Sequence, residues 1–137
     1  MANSRIEKAA ELHNSGMNCA QAVACSYCDL FGVDEKTVFR LAEGFGAGMG
    51  IQSTCGALTG LIMLLGLKNS SGTTENLTKA STYKLAKEAA EKFKAKTGST
   101  ICAELKGIGG KPVLRSCAGC IEDACKLAEE FLAVEKV

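Results

Sequence analysis

STCGALTGLIMLLGL, Ser53 to Leu67, decides the fold of this chain. Ser53 or Thr54 is suited to cap a helix that begins at Cys55 and runs to about Leu67. Its apolar residues occupy nearly every helical face, so it is predicted to be the central buried helix of a bundle. The wholly apolar part, Ala57 to Leu67, is broken by Thr59, Gly60 and Gly66. It is far short of the ~20 residues that span a bilayer, so no membrane insertion is expected.

Helical periodicity continues on both sides of this stretch. Ser4 caps a first helix bearing Ile6, Ala9, Ala10 and His13, which stops near Gly16. Asn18 with Gln21 three residues on forms a capping-box pattern, and Ala20, Val23, Ala24, Tyr27, Leu30 and Phe31 give a second helix ending at Gly32. Asp34 caps a third through Val38, Phe39, Leu41 and Ala42, which runs into the glycine-dense segment Gly44 to Gly50. That segment either lets backbones approach closely or serves as a flexible connector. After a polar loop, Asn69 to Thr73, a long amphipathic helix is expected from Thr74 to Gly98. A short helix follows over Ile101 to Lys106, and a last one starts after Ser116 with Ile121, Leu127, Ala128, Phe131 and Leu132 inside. Period-two runs of β-branched and aromatic residues are lacking. The expected fold is all-α, a single compact domain over residues 1–137 built of about six or seven helices.

Sixteen Lys plus Arg against fifteen Asp plus Glu leave a net charge of +1, which gives no field to attract nucleic acid. The segment Met1 to Ala10 carries charges where a signal peptide has its apolar core, so a cytoplasmic location is expected. Eight cysteines in a reducing compartment point to metal ligands or redox thiols rather than structural disulfides.

Four of the eight fall in the first turn of a predicted helix: Cys19 behind Asn18, Cys55 behind Thr54, Cys102 just after Thr100, and Cys117 behind Ser116. A helix start offers unpaired N–H groups and partial positive charge, which stabilise the thiolate, the form that attacks disulfides and binds metals. Cysteines used only for packing have no reason to prefer first turns. Cys25 and Cys28 form a C-x-x-C inside the second predicted helix, and Cys117 and Cys120 form another at the start of the last, with Cys125 further along. Neither C-x-x-C is followed by histidine, so covalent haem attachment is not indicated, and a single histidine, His13, leaves no basis for a histidine-dependent site.

Cys55 to Gly60 resembles the C-G-A-x-x-G motif of the C_GCAxxG_C_C family of small bacterial redox-active proteins, often encoded beside transporter genes. The likeness covers nearly the whole chain, with Asn18 to Ala20, the glycine-rich approach to Cys55, Cys102 to Leu105, and Cys117. It implies that Cys19, Cys55, Cys102 and Cys117 are the redox thiols, with Gly56 and Gly60 as motif glycines beside any cofactor. Cys25, Cys28, Cys120 and Cys125 fall outside that core. The expected function is dithiol and disulfide cycling, or ligation of an iron-sulfur cluster by the four thiols, serving an unidentified redox partner. The alternatives are a structural or sensory zinc module using the same four sulfurs, and a helical adaptor for a membrane transporter whose cysteines only pack. Homodimer formation is compatible with the apolar surplus, though no single face demands it.

Overall fold

The structure, a computed structural model, describes residues 4–133; Met1 to Asn3, with which the N-terminal segment begins, and residues 134–137 lie outside the described part. Seven α-helices are present among the described residues: α1 Arg5–Asn14, α2 Cys19–Cys25, α3 Glu35–Ala42, α4 Gly56–Asn69, α5 Lys79–Thr97, α6 Cys102–Lys106 and α7 Cys117–Leu132. The expected all-α bundle is what the chain forms. α4 is its centre, packed against α2, α5 and α7, with Ala57, Leu58, Leu61, Leu64 and Leu65 fully buried. No described helix is long and apolar enough to cross a membrane.

Two glycines set how closely α2 approaches α4. A Cβ on Gly60 would lie 2.8 Å from the Ala20 carbonyl oxygen, and one on Gly56 would lie 2.9 Å from the Phe45 oxygen and 3.3 Å from Cys19 Cβ. Spaced one turn apart, they form a flat strip on α4 against which the Ala20 backbone of α2 lies closely. The result is that the start of α2, with Cys19, lies beside the start of α4.

Local signals were obeyed where local chemistry closes on itself. Ser4 accepts from Glu7 N–H, Asp34 from Thr37 N–H, and Ser116 from Gly119 N–H. Asn18 and Gln21 make the full capping box, each side chain bonding the other's backbone N–H.

Three boundaries differ from expectation. α2 ends at Cys25, and Cys28–Phe31 is a separate 3-10 turn, because Tyr27 leaves helical geometry to send its hydroxyl to Glu129 and the Cys125 carbonyl. Cys25 and Cys28 therefore do not share one helix. α5 begins at Lys79 rather than Thr74, since Ser71 and Thr78 side chains tie the preceding residues into a loop of their own. α4 is capped by neither Ser53 nor Thr54; Cys55 is itself the N-cap.

The last difference has a long-range cause. Thr54 and Ile101 form an isolated antiparallel bridge, in which Cys55 N–H donates to the Thr100 carbonyl (2.8 Å) and Cys102 N–H to the Ser53 carbonyl (2.6 Å). The bridge joins the start of α4 to the start of α6. Ahead of it, the glycine-dense segment is a tight wrap rather than a loose connector: Ala47, Gly48, Met49, Gly50 and Gln52 all have positive φ. A Cβ on Gly48 would lie 2.5 Å from Ser53 N and 2.8 Å from Cys102 Cβ, so only glycine lets the wrap close over Cys102.

Candidate functional site

Helix starts converge at one end of the bundle. The glycine strip brings α2 to α4, and the Thr54–Ile101 bridge brings α6 to α4. The loop after α6 turns back at Gly107, whose φ is +69°, and Leu114 and Arg115 N–H groups bond the Leu105 carbonyl, delivering Ser116 and α7 to the same place. Between them lies a cavity of about 20 Å3 lined by Cys19, Cys55, Cys102, Cys117 and Cys120. The structure thus brings the four expected thiols together and adds a fifth. Gly56 lines the cavity as well, whereas Gly60 sits one turn deeper against Ala20 and Val23, where its function is helix packing.

Cys120, outside the motif that carries the resemblance, is the fifth. It lies three residues after Cys117 on α7, and i and i+3 share a helical face, so the C-x-x-C spacing was the available signal. It lines the cavity with Cys55, Cys19 and Cys117. Cys19, Cys55, Cys102 and Cys120 are buried and Cys117 is half-buried. Cys25 and Cys28 sit in a separate small apolar cluster with Ala24 and Val38, and Cys125 is enclosed in the main core. Burial pushes Cys25 and Cys125 up to about 12 and raises Cys28 as well.

The thiols around the cavity are not equivalent. The Cys120 thiol, donating to the Cys55 sulfur, is the main cause that brings Cys55 down to about 7, against burial; Ala57 and Leu58 N–H groups and the charge of Lys106 add to it. Cys120, as the donor to Cys55 and buried beside it, is raised. Burial, with Cys117 and Cys55 close by, pushes Cys19 up to about 12. Burial also raises Cys102, although Lys106 works against it. The expectation that first-turn placement acidifies all four thiols is therefore corrected. The reason is burial, the largest cause for both Cys19 and Cys102. Asn18 and Ser116 oxygens hold the third amides of α2 and α7. At α4 the N-cap residue is Cys55 itself, and the nearby Ala57 and Leu58 N–H groups help to lower it.

Two cations line the cavity. Arg115 is held by Asp123 through two contacts of 3.0 and 3.2 Å. Lys106 is exposed and has its pKa raised: burial opposes this, and the sulfurs of Cys117, Cys102 and Cys19 outweigh it.

Thiolates suit a metal or iron-sulfur centre in kind, but this arrangement does not fit one. Among the described residues no group of three or more His, Cys, Asp or Glu side chains is disposed to hold a metal ion. A cavity of about 20 Å3 has room for about one water, not for a cluster of iron and sulfide.

A family model described as "Putative redox-active protein (C_GCAxxG_C_C)" matches residues 17–131. No curated protein and no solved structure matches the chain.

Proposed function

From the premise that the chain belongs to the C_GCAxxG_C_C family of redox-active proteins, we propose that it is a thiol redox protein in which Cys55 is the nucleophile and Cys120 its resolving partner. The observation that carries this reading is that Cys55, at the N-cap of α4, and Cys120 line the same small cavity. A nucleophilic thiol works best with a pKa near ambient pH, which is where Cys55 stands. A resolving thiol must be adjacent and protonated until needed, as Cys120 is. Cys19, Cys102 and Cys117 are further thiols of the same site, and the cysteine usage suits a reducing, cytoplasmic setting.

With a peroxide as oxidant, the Cys55 thiolate attacks one oxygen and breaks the O–O bond, giving a sulfenic acid and hydroxide, which takes up a proton. Cys120 then attacks the Cys55 sulfur and expels water. The two sulfurs lose two electrons in total and the peroxide becomes two waters. An external dithiol returns the pair to its reduced form by exchange.

The test is to treat reduced protein with one equivalent of hydrogen peroxide, block remaining thiols, and map disulfides by peptide mass spectrometry. A Cys55–Cys120 disulfide, absent in Cys55→Ser, is expected. Oxidation that leaves Cys55 and Cys120 both alkylatable would overturn the proposal.

A further inference from the structure

The cavity holds about one water, so no disulfide-bearing molecule enters it, and any such molecule meets the protein at the rim. Of the cysteines around it, Cys117 alone is half-buried rather than buried. Cys117 is the first residue of α7, behind the cap Ser116, and lines the cavity together with Cys19. Cys19 in turn stands against the start of α4, its Cβ 3.3 Å from where a Cβ on Gly56 would be. Cys117 thus stands at the rim of a cavity that Cys19, Cys55 and Cys120 also line.

The rim carries one unneutralised cation. Arg115 is tied to Asp123 and also reaches Glu122, whereas Lys106 makes no ion pair with a carboxylate among the described residues. Its ammonium lies in the field of Cys117, Cys102 and Cys19.

Resting on the dithiol reading above, we propose that Cys117 is the entry thiol for disulfides of small carboxylate-bearing thiols, that Lys106 draws their carboxylate to the rim, and that Cys19 carries the exchange inward. Cys117, its proton lost to solvent, attacks one sulfur of the external disulfide and expels one thiolate, leaving a mixed disulfide. Cys19 attacks the Cys117 sulfur and expels the second thiolate. Cys55 attacks the Cys19 sulfur and frees Cys117; Cys120 attacks the Cys55 sulfur and frees Cys19. Overall, Cys55 and Cys120 give up two electrons and two protons, and the external disulfide leaves as two thiols.

The experiment uses three aliphatic disulfides of similar size, the dianionic dithiodipropionate, neutral hydroxyethyl disulfide and dicationic cystamine. Exchange rates with the reduced full chain at neutral pH and low salt are each divided by that of the same probe with an uncharged reference thiol. The normalised rates should fall in that order, with the anionic probe ahead of the cationic one by about tenfold, a preference that shrinks in salt. Lys106→Gln should reduce the preference below about threefold, and Cys117→Ser should slow all three probes by at least about tenfold. A preference that survives Lys106→Gln, or wild-type exchange in Cys117→Ser, overturns the entry route. Peroxide mapping of the wild type separates the two levels. If the Cys55–Cys120 disulfide forms there, only the route has failed; if it does not form, the dithiol reading falls and the route with it.

Discussion

Replacing Cys120 by alanine tests the acidity of Cys55 at its largest source. The substitution removes the thiol that donates to the Cys55 sulfur and leaves the Ala57 and Leu58 amides, Lys106 and the burial in place. A hydrogen bond to a charged group contributes roughly 1.5 to 3 kcal/mol, and about 1.4 kcal/mol corresponds to one pH unit. The midpoint for Cys55 should therefore rise by about one to two pH units from about 7. At neutral pH the thiolate fraction then drops from about one half to between about one tenth and one hundredth, and the peroxide rate, which follows thiolate, drops in proportion. Thiolate ultraviolet absorption, titrated against pH and corrected with Cys55→Ser, reads the midpoint without requiring a reagent to reach a buried sulfur. Cys120→Ser, which keeps a hydroxyl donor, should fall between wild type and Cys120→Ala. Losing a buried sulfur costs stability too, so thermal unfolding of each variant confirms that a folded protein is being titrated. A Cys55 midpoint that stays within about 0.3 pH unit in Cys120→Ala would refute the assignment of the acidifying contact.

Glycine substitutions within α4 should split by position. Gly66 has open space where a Cβ would go, so Gly66→Ala should stabilise by about 0.5 to 1 kcal/mol. At Gly60 the new Cβ would press on the Ala20 carbonyl, and overpacking of about 1 to 3 kcal/mol should outweigh the same helix gain, with a lower urea midpoint and slower Cys55–Cys120 oxidation. Stability in reducing buffer should peak between Cys55's value and somewhat above the ordinary thiol value of 9.0. Cys55 is lowered on folding, so its contribution is lost as pH falls through about 7, whereas Cys19, Cys25 and Cys125 are raised, so theirs is lost as pH climbs past the ordinary value; urea midpoints across this range check both limbs. Anaerobic purification followed by iron, sulfide and zinc analysis should return well under one equivalent of metal, and a stoichiometric centre lost in Cys55→Ser would replace the dithiol cycle.

Whatever depended on a few neighbouring residues was legible in the sequence. Asn18 with Gln21, Asp34 with Thr37 and Ser116 with Gly119 close their hydrogen bonds within one turn, and each marked its helix start correctly. The all-round apolar character of Leu58 to Leu65 likewise announced the central helix. Features set by distant partners were hidden. Tyr27 breaks α2 for the sake of Glu129, and Thr54 gives up capping because Ile101 claims its backbone. Cys120 was passed over because it is not in a first turn or in the resembling motif, although its spacing from Cys117 placed both on one face. Lys106 had no sequence signal at all, since only the meeting of α6 with the other helix starts turns a surface lysine toward sulfur.

The site's chemistry depends on inequality among its thiols. Five sulfurs around one small cavity cannot all ionise, since each thiolate raises the cost of the next. Equal surroundings would leave every thiol weakly acidic and none a good nucleophile. Position breaks the tie: Cys120 stands beside Cys55 and lowers it most, and at the N-cap of α4 the Ala57 and Leu58 N–H groups add to this. Once Cys55 carries the charge, the same charge holds Cys120 protonated and donating. Nucleophile and resolving thiol thus each depend on the other. The bridge that fixes Thr54 to Ile101, by keeping Cys55 at the N-cap and not one residue further in, is what gives the cluster a direction for exchange.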